Sequence, residues 1–149
     1  MRADSSAEIS RLRGQLTQVA RRLRQEARND PQSWTRMLVL SAIDRLGVGA
    51  TPSAIGRAED MRSPQVAAVL RDLENSGLVL RATDATDRRV TRLVLTGAGQ
   101  MLLDESRRRR DMWLSRAMDA RLSDDEREVV MRAGLLLERL ADFRDDALC

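Results

Sequence analysis

The chain has 149 residues, 42% hydrophobic and 33% charged, a balance that suits one largely helical unit rather than a disordered chain. All 26 basic residues are arginine, set against 23 acids, and the net charge of +3 is too small to argue for nucleic acid by itself. With no histidine and a single cysteine, Cys149, a Ser-His-Asp triad, a histidine metal ligand, a histidine pH switch and an intrachain disulfide are all excluded. No paired acidic motif points to carboxylate catalysis, so no catalytic residue, metal ligand or cofactor is expected. No apolar run approaches the ~18 residues of a membrane span. The leading Met-Arg-Ala-Asp-Ser-Ser lacks the apolar core of a signal peptide, so the expected location is the cytoplasm.

A first helix is expected from Ser5 or Ser6, because Ile9, Leu12, Leu16, Val19 and Leu23 recur at three- and four-residue steps. Its other face is basic, with Arg11, Arg13, Arg21, Arg22, Arg24 and Arg28, and Asn29-Asp30-Pro31 ends it. Ser33 caps a second helix whose Trp34, Met37, Leu38 and Ile43 read as core, ending at Leu46-Gly47. Thr51-Pro52 and Ser63-Pro64 each place a capping hydroxyl before a proline at the first helical position. These signals predict a short helix from Pro52 to Glu59, a turn at Asp60-Met61-Arg62, and a second helix stopped by Gly77. Two such helices joined by a short turn make a helix-turn-helix over residues 51–77.

Leu78 to Thr83 and Val90 to Leu95 are rich in branched residues around the turn cluster Asp84-Ala85-Thr86-Asp87, and read as the strands of a wing, residues 78–96. Thr96 caps a long helix from Gly97 to about Ala120, and Ser123-Asp-Asp-Glu126 is a capping box opening a last helix through Phe143. Val129, Val130, Leu135, Leu136, Leu137 and Leu140 give that helix a wide apolar face. Residues 1–29 hold seven arginines and three acids, whereas residues 122–149 hold four and eight. The terminal helices are thus complementary in charge, and each has an apolar stripe that packing within one chain or between two would bury.

The expected fold is mainly α (α+β): a winged helix-turn-helix flanked by N- and C-terminal dimerisation helices. On the helix after Pro64, Val66, Val69, Leu70 and Leu73 face inward, leaving Gln65, Ala67, Ala68 and Arg71 outward. In a major groove Gln65 could fork onto adenine, Arg71 onto guanine or a phosphate, and the alanines could meet thymine methyls. Arg62 and Ser63, where the helix begins, complete the candidate DNA-contacting set on this element. Arg88 and Arg89 stand at the wing tip, where an arginine can enter a narrow minor groove. Asp87 makes best sense as the partner that aims a neighbouring arginine and shapes the turn. The plain alternative for both surfaces is a solvated charged face.

Asp87-Arg88-Arg89, three residues, then Leu93-Val94-Leu95-Thr96-Gly97-Ala98-Gly99 resembles the wing signature of the MarR (multiple antibiotic resistance regulator) family. Leu73-Glu74-Asn75-Ser76-Gly77-Leu78-Val79 is similar to the end of that family's recognition helix, and element order and length fit over essentially the whole chain. The resemblance implies a single unit over residues 1–149. In it, residues 33–99 form the winged helix-turn-helix region, and residues 1–32 and 100–149 supply dimerisation helices. It implies a bacterial homodimeric transcriptional regulator, usually a repressor, bound to a pseudo-palindromic operator in double-stranded DNA, with no membrane partner. By position, Asp87 becomes the wing's structural acid, Arg89 its minor-groove arginine and Arg88 the variable position between them.

Many members carry serine or threonine followed by arginine where this chain has Ala67 and Ala68, which shifts the expected burden of readout onto Gln65, Arg71 and the wing. The resemblance also implies release of DNA by a small lipophilic acid. Trp34, Met37, Met112 and Trp113 are the candidates to line its cleft, while the same residues at helical spacing also read as core. Arg107 to Arg110 spread around one helical turn and read as solvated or ion-paired surface, with Arg108 or Arg109 reaching the acidic last helix across a dimer. The rival functional reading is a winged-helix adaptor that binds protein without sequence-specific DNA binding.

Overall fold

The computed structural model describes residues 2–143, so Cys149 lies outside the described residues. Six α-helices and one two-stranded antiparallel sheet follow in the order α1 (Arg2–Glu26), α2 (Trp34–Leu46), α3 (Pro52–Ala58), α4 (Ser63–Asn75), β1 (Val79–Thr83), β2 (Thr91–Leu95), α5 (Gly97–Arg121) and α6 (Asp124–Ala141). The chain divides after Arg110 into two compact units, with the division falling inside α5.

The first unit holds the winged helix-turn-helix. Val39, Leu40, Ala42 and Ile43 of α2, Ile55 of α3, and Val66, Leu70 and Leu73 of α4 close over one core with Val79, Leu93 and Leu103. Thr51 caps α3 by accepting from the Ala54 N–H at 3.1 Å, with Pro52 in the first turn. The same signal at Ser63-Pro64 works differently. Arg62 is the extended residue that precedes α4, the Val66 N–H bonds to its carbonyl, and Ser63 is the first helical residue with no capping bond. The turn before it passes through Asp60 at φ 51°, a left-handed conformation that aspartate tolerates, and this sets where α4 can begin.

The strands start one residue later than their sequence pattern suggests. They pair from Val79 opposite Leu95 to Thr83 opposite Thr91, and the Leu93 N–H reaches back to the Ala50 carbonyl at 2.8 Å. Gly77, at φ 71°, lets α4 stop and the chain reverse into β1. Thr96 then joins wing to α5, accepting from the Gly99 N–H at 3.0 Å and donating to the Gly77 carbonyl at 2.7 Å.

In α2 the core is carried by Met37, Val39, Leu40, Ala42 and Ile43, while Trp34 and Leu38 are only half-buried. Trp34 instead has the guanidinium carbons of Arg24 and Arg110 5.1 and 5.7 Å from its ring centre. In α1, which starts three or four residues earlier than expected, Ile9, Leu12, Leu16 and Val19 are exposed. The second unit contains α6, which ends at Ala141 rather than Phe143 and opens with the full Ser123–Glu126 capping box. Its Val129, Val130, Leu135, Leu136 and Leu140 are exposed, between 45% and 63%.

Candidate DNA-binding interface

The exposed face of α4 follows from its core face. With Val66, Leu70 and Leu73 buried, Gln65, Ala67, Ala68 and Arg71 are left outward, and Arg62 and Ser63 are exposed ahead of them. Both ends of the helix are tied down. At its start, Met61 donates to the Gly56 carbonyl at 2.9 Å, and a Cβ on Gly56 would stand 2.9 Å from the Met61 carbonyl oxygen, so a small residue is needed there. At its finish, the Leu78 N–H returns to the Leu73 carbonyl, Glu74 meets Arg81 of β1 at 2.6 Å, and Arg36 of α2 reaches Asp72 and Ser76.

The wing tip is built around two carboxylates. Asp84 accepts four bonds: from the Thr86 hydroxyl (2.7 Å), the Thr86 N–H (2.9 Å), the Asp87 N–H (2.9 Å) and Arg92 Nε (2.7 Å). The Thr86 hydroxyl above all, then the Asp87 amide and Arg92, hold its carboxyl well below the usual carboxylate range. Asp87 accepts from the Arg89 backbone N–H at 3.0 Å and from Arg89 Nε at 3.2 Å. The Arg89 side chain is 91% exposed while its direction is set by that pair, and Arg88 beside it is exposed. Asp84 is the residue that reasoning from sequence passed over as one member of a turn cluster. An aspartate with threonine two residues on is an Asx-turn signal, and Arg92, opposite Ala82, lies two positions along the ladder from it and so on the same face.

Trp34 and Met37 belong to the first unit and Met112 and Trp113 to the second. Met37 is a core residue, 3% exposed, while Met112 is exposed and Trp113 half-buried. The arginine run finds partners within its own unit. Arg107 meets Asp44 at 2.6 Å, Arg108 pairs with Glu105, and Arg109 pairs with Asp30 and with Glu105. Within the single chain these bonds make the run ion-paired surface. Among the described residues no group of three or more acids, histidines or cysteines is placed to hold a metal ion. Among the described residues no helix is long and apolar enough to cross a membrane.

A helix-turn-helix with one face of its second helix exposed, followed directly by a hairpin with arginines at its tip, defines a winged-helix DNA-binding regulator. The MarR family model matches residues 33–91, from the cap of α2 to the first residue of β2. An HTH-type transcriptional regulator of Mycobacterium leprae, ML2140, is 31% identical over 136 residues, which cover 89% of this chain and 94% of that protein. A transcriptional regulator protein of Pseudomonas aeruginosa, solved by crystallography, superposes with a TM-score of 0.84 at 43% identity, over 95% of this chain and 98% of the other. A MarR family protein of Bacillus stearothermophilus shares the fold with a TM-score of 0.82 at 22% identity, over 96% and 99%. The chain belongs to the MarR family of helix-turn-helix transcriptional regulators.

Proposed function

We propose that the protein acts as a homodimer that represses transcription by occupying a pseudo-palindromic operator, and that a small lipophilic acid releases it. The observation that carries this reading is the pairing of an exposed α4 face, Gln65 to Arg71, with an exposed Arg89 held in direction by Asp87. Gln65 and Arg71 read base edges in the major groove. Ala67 and Ala68 contribute shape and methyl contact, Arg62 and Ser63 meet phosphates, and Arg88 and Arg89 meet the minor groove. With two alanines in mid-helix, sequence discrimination is modest and the phosphate contribution large.

Dimerisation is supported by the apolar stripes of α1 and α6, both exposed in the single chain, and by their opposite charge. Two-fold symmetry of the protein calls for two half-sites about one helical turn apart. On the first unit, the half-buried indole of Trp34 is read as the surface that meets the aromatic ring of such an acid.

Selection from a randomised duplex library, at low salt and without added acid, tests this. The expected product is an inverted repeat, with light scattering reporting a dimer. Contact with about six phosphates predicts that log K falls against log salt with a slope of about −5. A phenolic acid such as 2-hydroxybenzoate should speed dissociation. Recovery of no enriched site, or binding indifferent to salt, would overturn the reading.

A further inference from the structure

The last turn of α4 is gripped from outside the helix-turn-helix. Arg36, in the first turn of α2, donates from Nη2 to the Asp72 carbonyl at 3.0 Å and to Ser76 Oγ at 2.7 Å. Ser76 Oγ in turn donates to the same Asp72 carbonyl at 2.8 Å, closing a three-membered ring of bonds. A guanidinium at this end of a helix is electrostatically favoured, because the final carbonyls carry the negative end of the helix dipole. Yet Arg36 Nε is buried and has no hydrogen-bond partner among the described residues. A side chain kept with one donor unmet is a poor choice for stability alone, since an apolar residue of similar volume would leave nothing unpaired.

The geometry offers another use. Asp72 directly follows Arg71, so any displacement of the gripped turn is passed to Arg71 almost undiminished, one residue and about 1.5 Å of helix rise away. Forked pairing of an arginine with guanine depends on both bonds being made together, and a shift of about 1 Å breaks the fork while leaving a single phosphate bond intact. We infer that Arg36 is a positioning residue for base readout: it fixes the tilt of α4 over the Val66–Leu70–Leu73 core contact and so sets which bases Arg71 can fork onto. The inference rests on the DNA-binding reading above, and its test is built to fail separately from it.

The test repeats the randomised-duplex selection with the parent, Arg36→Met, Arg36→Lys and Ser123→Ala, adding affinity for one scrambled duplex and a melting temperature for each. Ser123→Ala removes a cap from α6, in the second unit, and supplies a comparable loss of stability without touching α4. Arg36→Met is expected to lose about tenfold in preference at the bases the parent specifies most strongly, the value of one lost fork. Its affinity for the scrambled duplex should stay within about twofold, since phosphate contacts carry non-specific binding. Arg36→Lys should keep part of the preference, and Ser123→Ala all of it. If Arg36→Met does not fold, Ser76→Ala, which removes the hydroxyl but leaves the Arg36 bond to the Asp72 carbonyl, must show a smaller flattening at the same bases. An unchanged preference in Arg36→Met, or a parallel fall on specific and scrambled DNA, overturns the inference alone. A parent that enriches no motif overturns it together with the function it rests on.

Discussion

Gly99→Ala is the sharpest single test of how the wing is joined to α5. A Cβ built on Gly99 falls 3.1 Å from the Leu78 carbonyl carbon and 3.4 Å from its Cα, and closer still to the carbonyl oxygen, well under the 3.0 Å that real Cβ atoms keep. Backbone stands on both sides of this contact, so no side chain can swing away to relieve it. Either the overlap is borne, or α5 retreats by about 1 Å to restore van der Waals distance. Retreat strains the two bonds made by Thr96, from its N–H to the Leu78 carbonyl at 3.0 Å and from its hydroxyl to the Gly77 carbonyl at 2.7 Å. Overpacking costs about 1–3 kcal/mol and each weakened bond about 1 kcal/mol, so either course costs about 2–3 kcal/mol. For a chain of this length that is a fall in melting temperature of about 6–9 °C, followed by circular dichroism at fixed protein concentration. Gly97→Ala is the control. Nothing lies within 4 Å of its added Cβ, and its melting point should stay within about 2 °C of the parent. If Gly99→Ala melts where Gly97→Ala does, the close approach of the first turn of α5 to Leu78 is wrong.

Three further outcomes are expected. Thr51→Ala, which removes a formed cap, should cost about 1 kcal/mol or about 3 °C, whereas Ser63→Ala, whose hydroxyl caps nothing, should leave the melting point unmoved; equal losses would contradict the observed start of α4. Arg89→Ala should weaken operator binding about tenfold and lower the salt slope by about 1, with Asp87→Ala giving a smaller loss, because the arginine remains but is no longer aimed. Asp84 titrates below its ordinary value of 3.8, so its ionised form is favoured by folding; the order it gives the wing is present above that value and lost as pH falls below it. The amide signals of Thr86 and Asp87, followed by NMR, should hold steady through pH 4 and move only at lower pH, and Asp84→Asn should abolish that response. A midpoint at the ordinary value would refute the bonding described for Asp84.

What was legible in the sequence is what depends on near neighbours. The period of Val66, Leu70 and Leu73 set the buried face of α4, and with it the exposed one, since a 100° step admits no other arrangement. Thr96, Gly97 and Gly99 announced the cap of α5, and Ser123 to Glu126 the start of α6. Ser63-Pro64 misled because proline is tolerated at either of the first two helical positions. The dipeptide therefore cannot say whether the serine stands before the helix or within it; Asp60 and its left-handed turn decided that. The stripes of α1 and α6 were visible as periods, but a period does not say whether one chain or two will cover it.

The residues that organise the site mostly act across distances that no local pattern encodes. Arg36 and Ser76 are 40 positions apart, and Asp30 meets Ser106 and Arg109 from 76 and 79 positions away. The run Arg107 to Arg110 shows why composition cannot supply such contacts. Four successive residues of a helix point in four directions, so a uniform sequence must become four different environments. Arg107 reaches Asp44 of α2, Arg108 turns to Glu105 of its own helix, and Arg109 closes on the buried Asp30 carboxylate, which also accepts from Ser106 Oγ at 2.6 Å. Arg110 lies over the Trp34 ring. The chemistry of each arginine is therefore decided by what the fold sets opposite it. The same holds for Arg36, which looks no different in the sequence from any exposed arginine until the end of α4 is brought against it.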